Sequence, residues 1–304
     1  MKAFFVFSGQ GAQTVGMGKD LYDNCPEAKA VFDRADEILK FSLTDVIFNG
    51  PDSDLTKSDI CQPAIYTTSC AALAAFQAKF PEIKPAACAG LSLGKYAALF
   101  AAGAFSFDTG LSLLEQRGKF MDAACQANPG GMATILGGDL AQIEEVCASL
   151  DIDVANYNSP AQIVISGLKE KISIAVTELK ARGMRKVIEL NVAGAFHSRL
   201  MASAGEKLSE VLKTCEIVEP TTPIYQNYTA QVPVNVEEIK ANLANQVAGS
   251  VLWEKCLRAA VATGVDTVIE FGPGNVLTGL AKRTIPELKC VNINSVDTLN
   301  AAEF

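Results

Sequence analysis

The sequence predicts an α/β protein in which a ferredoxin-like subdomain is inserted into a large domain with a mainly parallel sheet. Short apolar segments alternate with helical ones on both sides of the middle, as in parallel sheets covered on both faces. Residues 130–192 instead have the order βαββαβ of a ferredoxin-like unit. The 304 residues are 49% apolar, enough for a sizeable core. We therefore predict a large domain from residues 1–127 and 195–304, and an inserted subdomain from residues 128–194.

The N-terminal part of the chain supplies the first strand and two helices. Residues 2–8 form a continuous apolar run, which predicts a strand buried on both faces. Residues 26–40 have apolar side chains along one side, so an amphipathic helix is predicted there. Residues 49–59 are predicted to be a polar loop, and residues 62–80, nearly all small and apolar, a buried helix.

The stretch around Ser92 is the strongest signal of chemistry in the chain. An apolar strand at 86–89 leads directly into GLSLG at 90–94 and then into a helix-forming segment at 96–102. Strand, G-x-S-x-G and helix in succession are typical of the nucleophile elbow of α/β-hydrolase-like domains. The sharp turn leaves no room for a Cβ at either glycine, and it places the hydroxyl at the positive end of the helix. We predict a nucleophilic Ser92; the alternative is a Gly-Ser turn that merely joins two buried elements.

A helix predicted over 108–125 carries Arg117 on its apolar face. Leu113 and Leu114 lie one turn before Arg117, and Met121 lies one turn after it. A guanidinium is costly to bury unless an anion meets it. Beside an elbow serine, this placement favours an anion-binding Arg117. In the alternative, Arg117 snorkels to solvent or pairs with a structural acid.

His197 is the only histidine in the chain. A lone histidine is most often structural or incidental, and that alternative stays open. An activated serine, however, needs a base with a pKa near neutrality, and no other histidine can supply one. We therefore predict that His197 is the general base for Ser92.

The remaining segments complete the two domains. In the subdomain, strands are predicted at 131–137, 153–158, 161–167 and 184–192, and helices at 139–150 and 168–183. After His197, we predict helices to about residue 214, at 236–247 and at 252–264, strands at 223–228, 265–271 and 289–294, a Gly-Pro-Gly turn at 272–274 leading into a further helix, and a short polar tail.

The composition excludes several classes of protein. A net charge of −8 without a basic run argues against nucleic-acid binding. No apolar run approaches the ~18 residues that a membrane span needs, and the N-terminus does not resemble a secretory signal. Nine cysteines lack metal-ligand spacing and suit a reducing compartment, so we expect a cytoplasmic protein without a metal.

Six motifs in order make the chain resemble the malonyl-CoA:acyl carrier protein transacylases, the acyltransferase family of fatty acid and polyketide synthesis. The resemblance covers essentially the whole chain. The motifs are FVFSGQGAQ at 5–13, GLSLGKY at 90–96, LLEQRGKFM at 113–121, GAFHS at 194–198, QVAGSVLW at 246–253 and EFGPGNVLTGL at 270–280.

The resemblance implies a role for each candidate residue. Ser92 would be the acylated nucleophile and His197 its base, with Gln246 beside the histidine to orient it. Arg117 would pair with the malonyl carboxylate, and Met121 would line the substrate site with it. The remaining implied site residues are Gln10 and Leu93, whose backbone N–H groups would form the oxyanion hole, and Phe196, whose ring would disfavour an α-branched acyl group.

The implied reaction is ping-pong transfer of a malonyl group from malonyl-CoA to the phosphopantetheine thiol of acyl carrier protein, without a cofactor. We expect a monomer. Three alternatives remain: an acyltransferase serving a polyketide synthase, an acyl-thioester hydrolase, and a non-catalytic docking module for the carrier protein.

Two residues of the elbow depart from the family pattern, and the departure at Lys95 is the more consequential. Lys95 stands where the family usually has glutamate, and Leu91 where it usually has histidine. A cation in the first turn of a helix is disfavoured by the macrodipole by ~0.3–1 kcal/mol. Three consequences stay open: weaker packing near Ser92, attraction of an anionic substrate by the added positive charge, or no effect.

Overall fold

Two separate four-stranded sheets organise the chain in the computed structural model, which describes residues 1–304. The strands are β1 (Ala3–Phe7), β2 (Pro85–Gly90), β3 (Gly130–Leu136), β4 (Asp153–Ser159), β5 (Gln162–Leu168), β6 (Lys186–Glu189), β7 (Thr267–Phe271) and β8 (Lys289–Ile293). The helices are α1 (Lys19–Asn24), α2 (Pro26–Leu39), α3 (Leu43–Asn49), α4 (Asp52–Leu55), α5 (Ser58–Lys79), α6 (Gly94–Ala101), α7 (Phe107–Ala127), α8 (Leu140–Leu150), α9 (Lys169–Ala181), α10 (Ala202–Thr214), α11 (Val236–Asn245), α12 (Trp253–Ala262), α13 (Val276–Thr284) and α14 (Val296–Ala301).

The first sheet has the order β2-β1-β7-β8, and all of its pairs are parallel. Every residue of β1 and β7 is buried, because helices cover both faces of the sheet. Aromatic rings fill one face: Phe271 packs against Phe5 and Phe7, with ring centroids 4.9 and 5.4 Å away. The predicted parallel sheet is therefore confirmed, and its strand β2 ends at the serine turn.

The second sheet has the order β4-β5-β3-β6, and all of its pairs are antiparallel. This is the strand order of a βαββαβ ferredoxin-like unit, with α8 and α9 as its two helices. The sheet lies entirely within the predicted insert. Its exact limits at residues 128 and 194 stay a prediction.

Close backbone contacts join the insert to the large domain. A Cβ on Gly130 would lie 2.5 Å from the Cβ of Ala195, so the two connecting segments run side by side. A Cβ on Gly194 would lie 2.2 Å from the sulfur of Cys125 at the end of α7. Only glycine fits at these two junction positions.

Three segments differ from the sequence prediction. Residues 49–59 are not all loop, because acidic residues after Pro51 start α4 and α5 begins at Ser58. Residues 223–228 are not a strand: the chain makes one bridge to β2 at Ile224 and then turns. The polar tail contains α14, which a Ser295–Thr298 capping box begins and buried Leu299 anchors.

None of the helices is both long enough and apolar enough to cross a lipid bilayer.

Candidate active site

Ser92 lies in a strained turn between β2 and α6. Its backbone φ is +52°, a left-handed conformation that non-glycine residues adopt only where the surroundings impose it. A Cβ on Gly90 would come within 2.0 Å of the Gly94 backbone, and one on Gly94 within 2.2 Å of the Phe7 carbonyl oxygen. Both glycines are therefore required by the close approach of strand, turn and helix. This is the geometry predicted for a nucleophile elbow.

The side chain of Asn227 holds the elbow from the opposite direction. Its Oδ1 accepts a hydrogen bond from the backbone N–H of Ser92 at 2.8 Å, and both groups are buried. The sequence analysis missed Asn227 because 223–228 was interpreted as a strand. The available signal was a pair of polar residues, Gln226 and Asn227, in an otherwise apolar segment.

His197 and Ser92 are in hydrogen-bond contact, as expected for a nucleophile and its base. The distance from Ser92 Oγ to His197 Nε2 is 2.8 Å, and His197 is only 6% exposed. On the other side of the ring, Nδ1 lies 3.0 Å from the backbone oxygen of Gln246. His197 has a φ of +59°, so both members of the pair have left-handed backbones. Two such residues in contact are typical of a functional site.

Arg117 is the third group at the serine, and it is 1% exposed. Its Nη2 donates to Ser92 Oγ at 3.1 Å, and its Nη1 donates to the amide oxygen of Gln62 at 2.5 Å. No carboxylate lies within 4.0 Å of the guanidinium, and Nε has no hydrogen-bond partner. The ring of Tyr96 lies 5.9 Å from its Cζ. Arg117 thus neither snorkels to solvent nor pairs with a structural acid.

Gln62 was also missed from the sequence. It lies on α5, which is almost entirely buried, and it is itself inaccessible to solvent. A lone glutamine in a run of small apolar residues was a usable signal, because buried amides are normally hydrogen-bonded.

The surroundings lower the basicity of His197. Burial is the main cause and the positive charge of Arg117 the next, and together they lower the pKa of His197 to about 3. Burial also lowers the pKa of Arg117, which nevertheless stays charged. The expectation of a pKa near neutrality for His197 is therefore wrong for the free protein. The imidazole is neutral at pH 7, the form that can accept a proton.

The backbone N–H groups of Gln10 and Leu93 are both available as donors, and their role as an oxyanion hole stays a prediction. Leu93 directly precedes α6, and its N–H donates to no protein acceptor. The N–H of Gln10 likewise has none. The loop that carries Gln10 lies against the elbow, because a Cβ on Gly9 would be 2.6 Å from the Leu91 carbonyl oxygen. Two free N–H groups beside a nucleophile can stabilise a developing oxyanion.

Met121 and Phe196 are buried in the same apolar cluster of the large domain. The sulfur of Met121 lies 3.4 Å from the Gln62 amide nitrogen, so Met121 contacts the residue that orients Arg117. Phe196 precedes His197 in the chain and is 6% exposed. Their contact with an acyl group stays a prediction.

Gln246 lies beside His197, as predicted, but its side chain also contacts an unexpected partner. Its Nε2 is 3.0 Å from His197 Nδ1, and its Oε1 accepts from Lys95 Nζ at 2.6 Å. Lys95 is in the first turn of α6 and only 1% exposed, without a carboxylate partner. Burial, followed by the charge of Arg117, holds the pKa of Lys95 well below its usual value. Burial is therefore the main cause of this lowered pKa.

Taken together, the site can activate a serine, accept its proton, stabilise an oxyanion and hold a carboxylate. Ser92 Oγ lies 2.8 Å from Nε2 of a neutral imidazole and accepts a hydrogen bond from Arg117, which favours the alkoxide form of the serine. These are the components of acyl transfer through a covalent serine ester.

Comparisons with known proteins agree with this chemistry. Residues 4–300 match the acyl transferase domain family. The chain is 42% identical over 306 residues to the malonyl CoA-acyl carrier protein transacylase of Bacillus subtilis (strain 168), covering 99% of this chain and 96% of that protein.

Two solved structures are similar over the full length. One is an acyl carrier protein S-malonyltransferase from Vibrio cholerae, with a TM-score of 0.95 at 34% identity and 100% coverage of both chains. Another is a malonyl-transacylase in complex with its type II polyketide synthase acyl-carrier protein, with a TM-score of 0.95 at 34% identity and 99% coverage of both chains.

Proposed function

This chain belongs to the acyl transferase family, and we propose that it transfers a malonyl group from malonyl-CoA to the phosphopantetheine thiol of an acyl carrier protein. One observation carries the proposal: a buried Arg117 without an acid partner lies 3.1 Å from the Ser92 hydroxyl. A buried guanidinium favours a ligand carboxylate, which supplies the missing charge. An acyl group with a free carboxylate, such as malonyl, brings that charge to the serine.

In the first half-reaction, Ser92 Oγ attacks the thioester carbonyl while His197 Nε2 accepts the hydroxyl proton. The N–H groups of Gln10 and Leu93 stabilise the tetrahedral oxyanion; removal of one such donor typically costs about 3–4 kcal/mol. The intermediate collapses as the C–S bond breaks, and the CoA sulfur takes the proton from His197. Malonyl-Ser92 remains.

The second half-reaction repeats these steps with a different nucleophile. The carrier protein's thiol loses its proton to His197 and attacks the malonyl-serine ester. The C–O bond breaks, and His197 returns the proton to Ser92 Oγ. Because CoA leaves before the carrier protein's thiol attacks, the kinetics are ping-pong.

Arg117 supplies the selectivity in this scheme. On substrate binding it exchanges its bond to Ser92 Oγ for the malonyl carboxylate, while Gln62 keeps it in place. Burial is the main cause of the lowered pKa of His197, and the charge of Arg117 is the next. The malonyl carboxylate neutralises that charge, so its binding raises the basicity of His197. Met121 supports Gln62, and Phe196 limits the space for an α-branch.

The proposal places the protein in fatty acid biosynthesis, as a cytoplasmic monomer that acts without a metal or redox cofactor of its own. Two supports for the carrier-protein partner are the relatives named for that activity and the neighbour solved with a polyketide synthase carrier protein. That neighbour favours a second candidate of the same chemistry, an acyltransferase that serves a polyketide synthase.

The test follows the fate of the acyl group. We expect intact-mass spectrometry to detect one malonyl adduct after malonyl-CoA is added, and the adduct to move to a phosphopantetheinylated carrier protein. Free malonate without transfer would instead identify a hydrolase. No adduct at all would contradict the proposal and support a docking module. Carriers from a fatty acid synthase and a polyketide synthase, compared at equal concentration, separate the two pathways.

A further inference from the structure

The acyl-transfer chemistry uses Ser92, His197 and Arg117, but it assigns no task to Lys95. This lysine is the only fully buried amine in the chain, and its one hydrogen bond goes to Gln246. An ammonium group has three donors, and burying it without a carboxylate is costly. A lysine in such a position needs an explanation.

The contacts form a chain from Lys95 to the catalytic base. Lys95 Nζ lies 2.6 Å from Gln246 Oε1, and Gln246 Nε2 lies 3.0 Å from His197 Nδ1. His197 Nε2 lies 2.8 Å from Ser92 Oγ. Lys95, Gln246, His197 and Ser92 are therefore connected by successive contacts, and all four are buried; Lys95 and Ser92 belong to the elbow segment, whereas Gln246 and His197 come from two other segments.

His197 Nδ1 has two neighbours that require opposite protonation states of this nitrogen. The Gln246 backbone oxygen, at 3.0 Å, needs a proton on Nδ1, and this tautomer leaves Nε2 free to accept the serine proton. The Gln246 side-chain N–H, also at 3.0 Å, needs a bare Nδ1, and then Nε2 carries the proton and cannot act as the base. Only one of the two bonds forms at a time.

The amide orientation of Gln246 decides between these bonds, and Lys95 controls that orientation. An ammonium group only donates, so it requires the Gln246 oxygen and thereby turns the amide N–H towards His197. A neutral amine has a lone pair and also accepts the amide N–H. The reversed amide then presents its oxygen to a protonated Nδ1, which is the base-competent tautomer. Amide orientation in a structure is assigned from such networks.

We propose that Lys95 is a positioning residue that sets the tautomer of His197 through the side-chain amide of Gln246. The amine form of Lys95 permits the base-competent tautomer, and the ammonium form opposes it. The role in catalysis rests on the proposed acyl transfer, whereas the coupling between Lys95 and the His197 tautomer does not.

Among the groups around Lys95 that can gain or lose a proton, only Lys95 itself has a pKa that is displaced towards neutrality. Arg117 on α7 stays charged throughout. Burial raises the pKa of the Cys256 thiol on α12 to about 12, and the pKa of His197 is lowered to about 3. The pKa of Lys95 is lowered by burial and by Arg117. A change of tautomer with pH, at pH values where the His197 ring stays neutral, therefore reports the Lys95 proton.

The test uses the fact that His197 is the only histidine. In protein labelled with ¹⁵N-histidine, the two ring-nitrogen shifts and their couplings to the ring protons identify the tautomer of one residue, without substrate. We expect Nδ1–H at high pH and a shift towards Nε2–H as the pH falls. In Lys95→Met we expect the Nδ1–H tautomer at every pH measured. We expect the same in Lys95→Glu, because a carboxylate only accepts hydrogen bonds and therefore requires the amide N–H of Gln246. Lys255→Met, at an exposed lysine on α12, is the matched control and should behave as wild type.

A wild-type tautomer that does not change with pH would overturn the proposal, even if no variant folds. The same conclusion follows if Lys95→Met retains the wild-type change. A kinetic arm measures acylation by the malonyl thioester of N-acetylcysteamine, which has no phosphate to titrate. We expect the acid limb of the wild-type rate to shift down by about one pH unit or more in Lys95→Met. If no adduct forms at any pH, the proposed acyl transfer is wrong. The tautomer measurement uses no substrate, so it tests the coupling between Lys95 and His197 independently.

Discussion

Ser92 and His197 meet at 2.8 Å, but different parts of the molecule hold them in place. On the nucleophile side, the elbow is fixed by the close approach of Gly90 to the Gly94 backbone and of Gly94 to Phe7 in β1. The N–H of Leu91 also donates to Phe7 at 3.1 Å, and the N–H of Ser92 donates to Asn227. On the base side, His197 depends on segments that lie far apart in the chain.

The insert supplies much of the support on the base side. Two residues after His197, the backbone N–H of Arg199 donates to Asp153 of β4 at 3.0 Å, and its guanidinium contacts the same carboxylate. The segment after Gln246 is attached to the same strand: Ser250 Oγ donates to the Val154 carbonyl oxygen at 2.6 Å. The large domain therefore holds the nucleophile Ser92 in position, while contacts with the insert support the position of His197.

The Ser92 side and the His197 side should therefore respond differently to mutation. Changes on the nucleophile side act directly on the reacting atom or on its close backbone contacts. Changes in the insert act through the position of His197, so they should lower the rate without abolishing the covalent intermediate.

The largest effect is expected from Ser92→Ala, which removes the reacting atom. We expect no malonyl adduct on intact-mass analysis, with thermal unfolding close to wild type because alanine keeps the side-chain volume small. Ser149→Ala, at a serine on α8 in the insert, serves as the control and should still be acylated. A malonylated Ser92→Ala would mean that another residue is the nucleophile.

Replacement of His197 is expected to lower the acylation rate almost as strongly. We choose His197→Gly because glycine adopts the φ of +59° without strain. Single-turnover acylation should slow by about 100- to 10,000-fold, and added imidazole should restore part of the rate. Since the pKa of His197 is lowered to about 3, its own protonation should not reduce the wild-type rate near pH 6. An unchanged rate in His197→Gly would show that the histidine is structural.

A selective effect is expected from Arg117→Ala. Removing one partner of a buried charge pair typically costs about 2–5 kcal/mol, so kcat/KM for malonyl-CoA should fall by about 30-fold or more. Acetyl-CoA has no carboxylate, and its relative activity should rise. The ratio of the two kcat/KM values is the measurement. If both values fall equally, Arg117 is structural, and the hydrolase alternative gains support.

A smaller effect is expected from Arg199→Ala, which removes the guanidinium contact with Asp153 but keeps the backbone hydrogen bond to it. Arg199 is largely exposed, so its ion pairs add little to stability. We expect acylation to slow by about twofold to fivefold, with Ser92 still labelled in full. Arg258→Ala, which removes a surface pair with Glu254 on α12, should leave the rate unchanged. Equal rates for both variants would mean that the insert does not brace His197.

The smallest effect concerns the free energy of unfolding in Lys95→Met. Because the folded pKa of Lys95 is lowered, the unfolded chain binds more protons between that pKa and the ordinary lysine value, and folding stability falls as pH falls through this window. Methionine removes that penalty. We expect a Tm a few degrees above wild type at pH 7, with the difference closing near pH 10.5. A Tm below wild type at both values would show that the hydrogen bond to Gln246 outweighs the burial penalty.

The sequence predicted the nucleophile side better than the base side for a physical reason. Steric rules for a turn act between neighbours in the chain, so GLSLG between a strand and a helix was sufficient for Ser92. The apolar periodicity of α7 also placed Arg117 correctly on the buried face. The order βαββαβ was sufficient for the insert, because hairpins and crossovers constrain which strands can pair.

Tertiary contacts determined what the sequence could not predict. Gln62 and Asn227 act through side chains that reach Arg117 and Ser92 from distant segments, and no local pattern encodes such a meeting. The pKa of His197 depends on burial and on Arg117, neither of which follows from its neighbours in the chain. Lys95 was expected to interact with a helix dipole, but the structure buries it against Gln246.

The central claim is that Ser92 carries the acyl group and that Arg117 selects it by its carboxylate. The most direct measurement is peptide mapping by mass spectrometry after the protein meets malonyl-CoA and acetyl-CoA at equal concentration. We expect a single acyl group per chain, malonyl rather than acetyl, on the peptide that contains Ser92. An adduct on any other residue, or acetyl and malonyl in similar amounts on Ser92, would contradict the account.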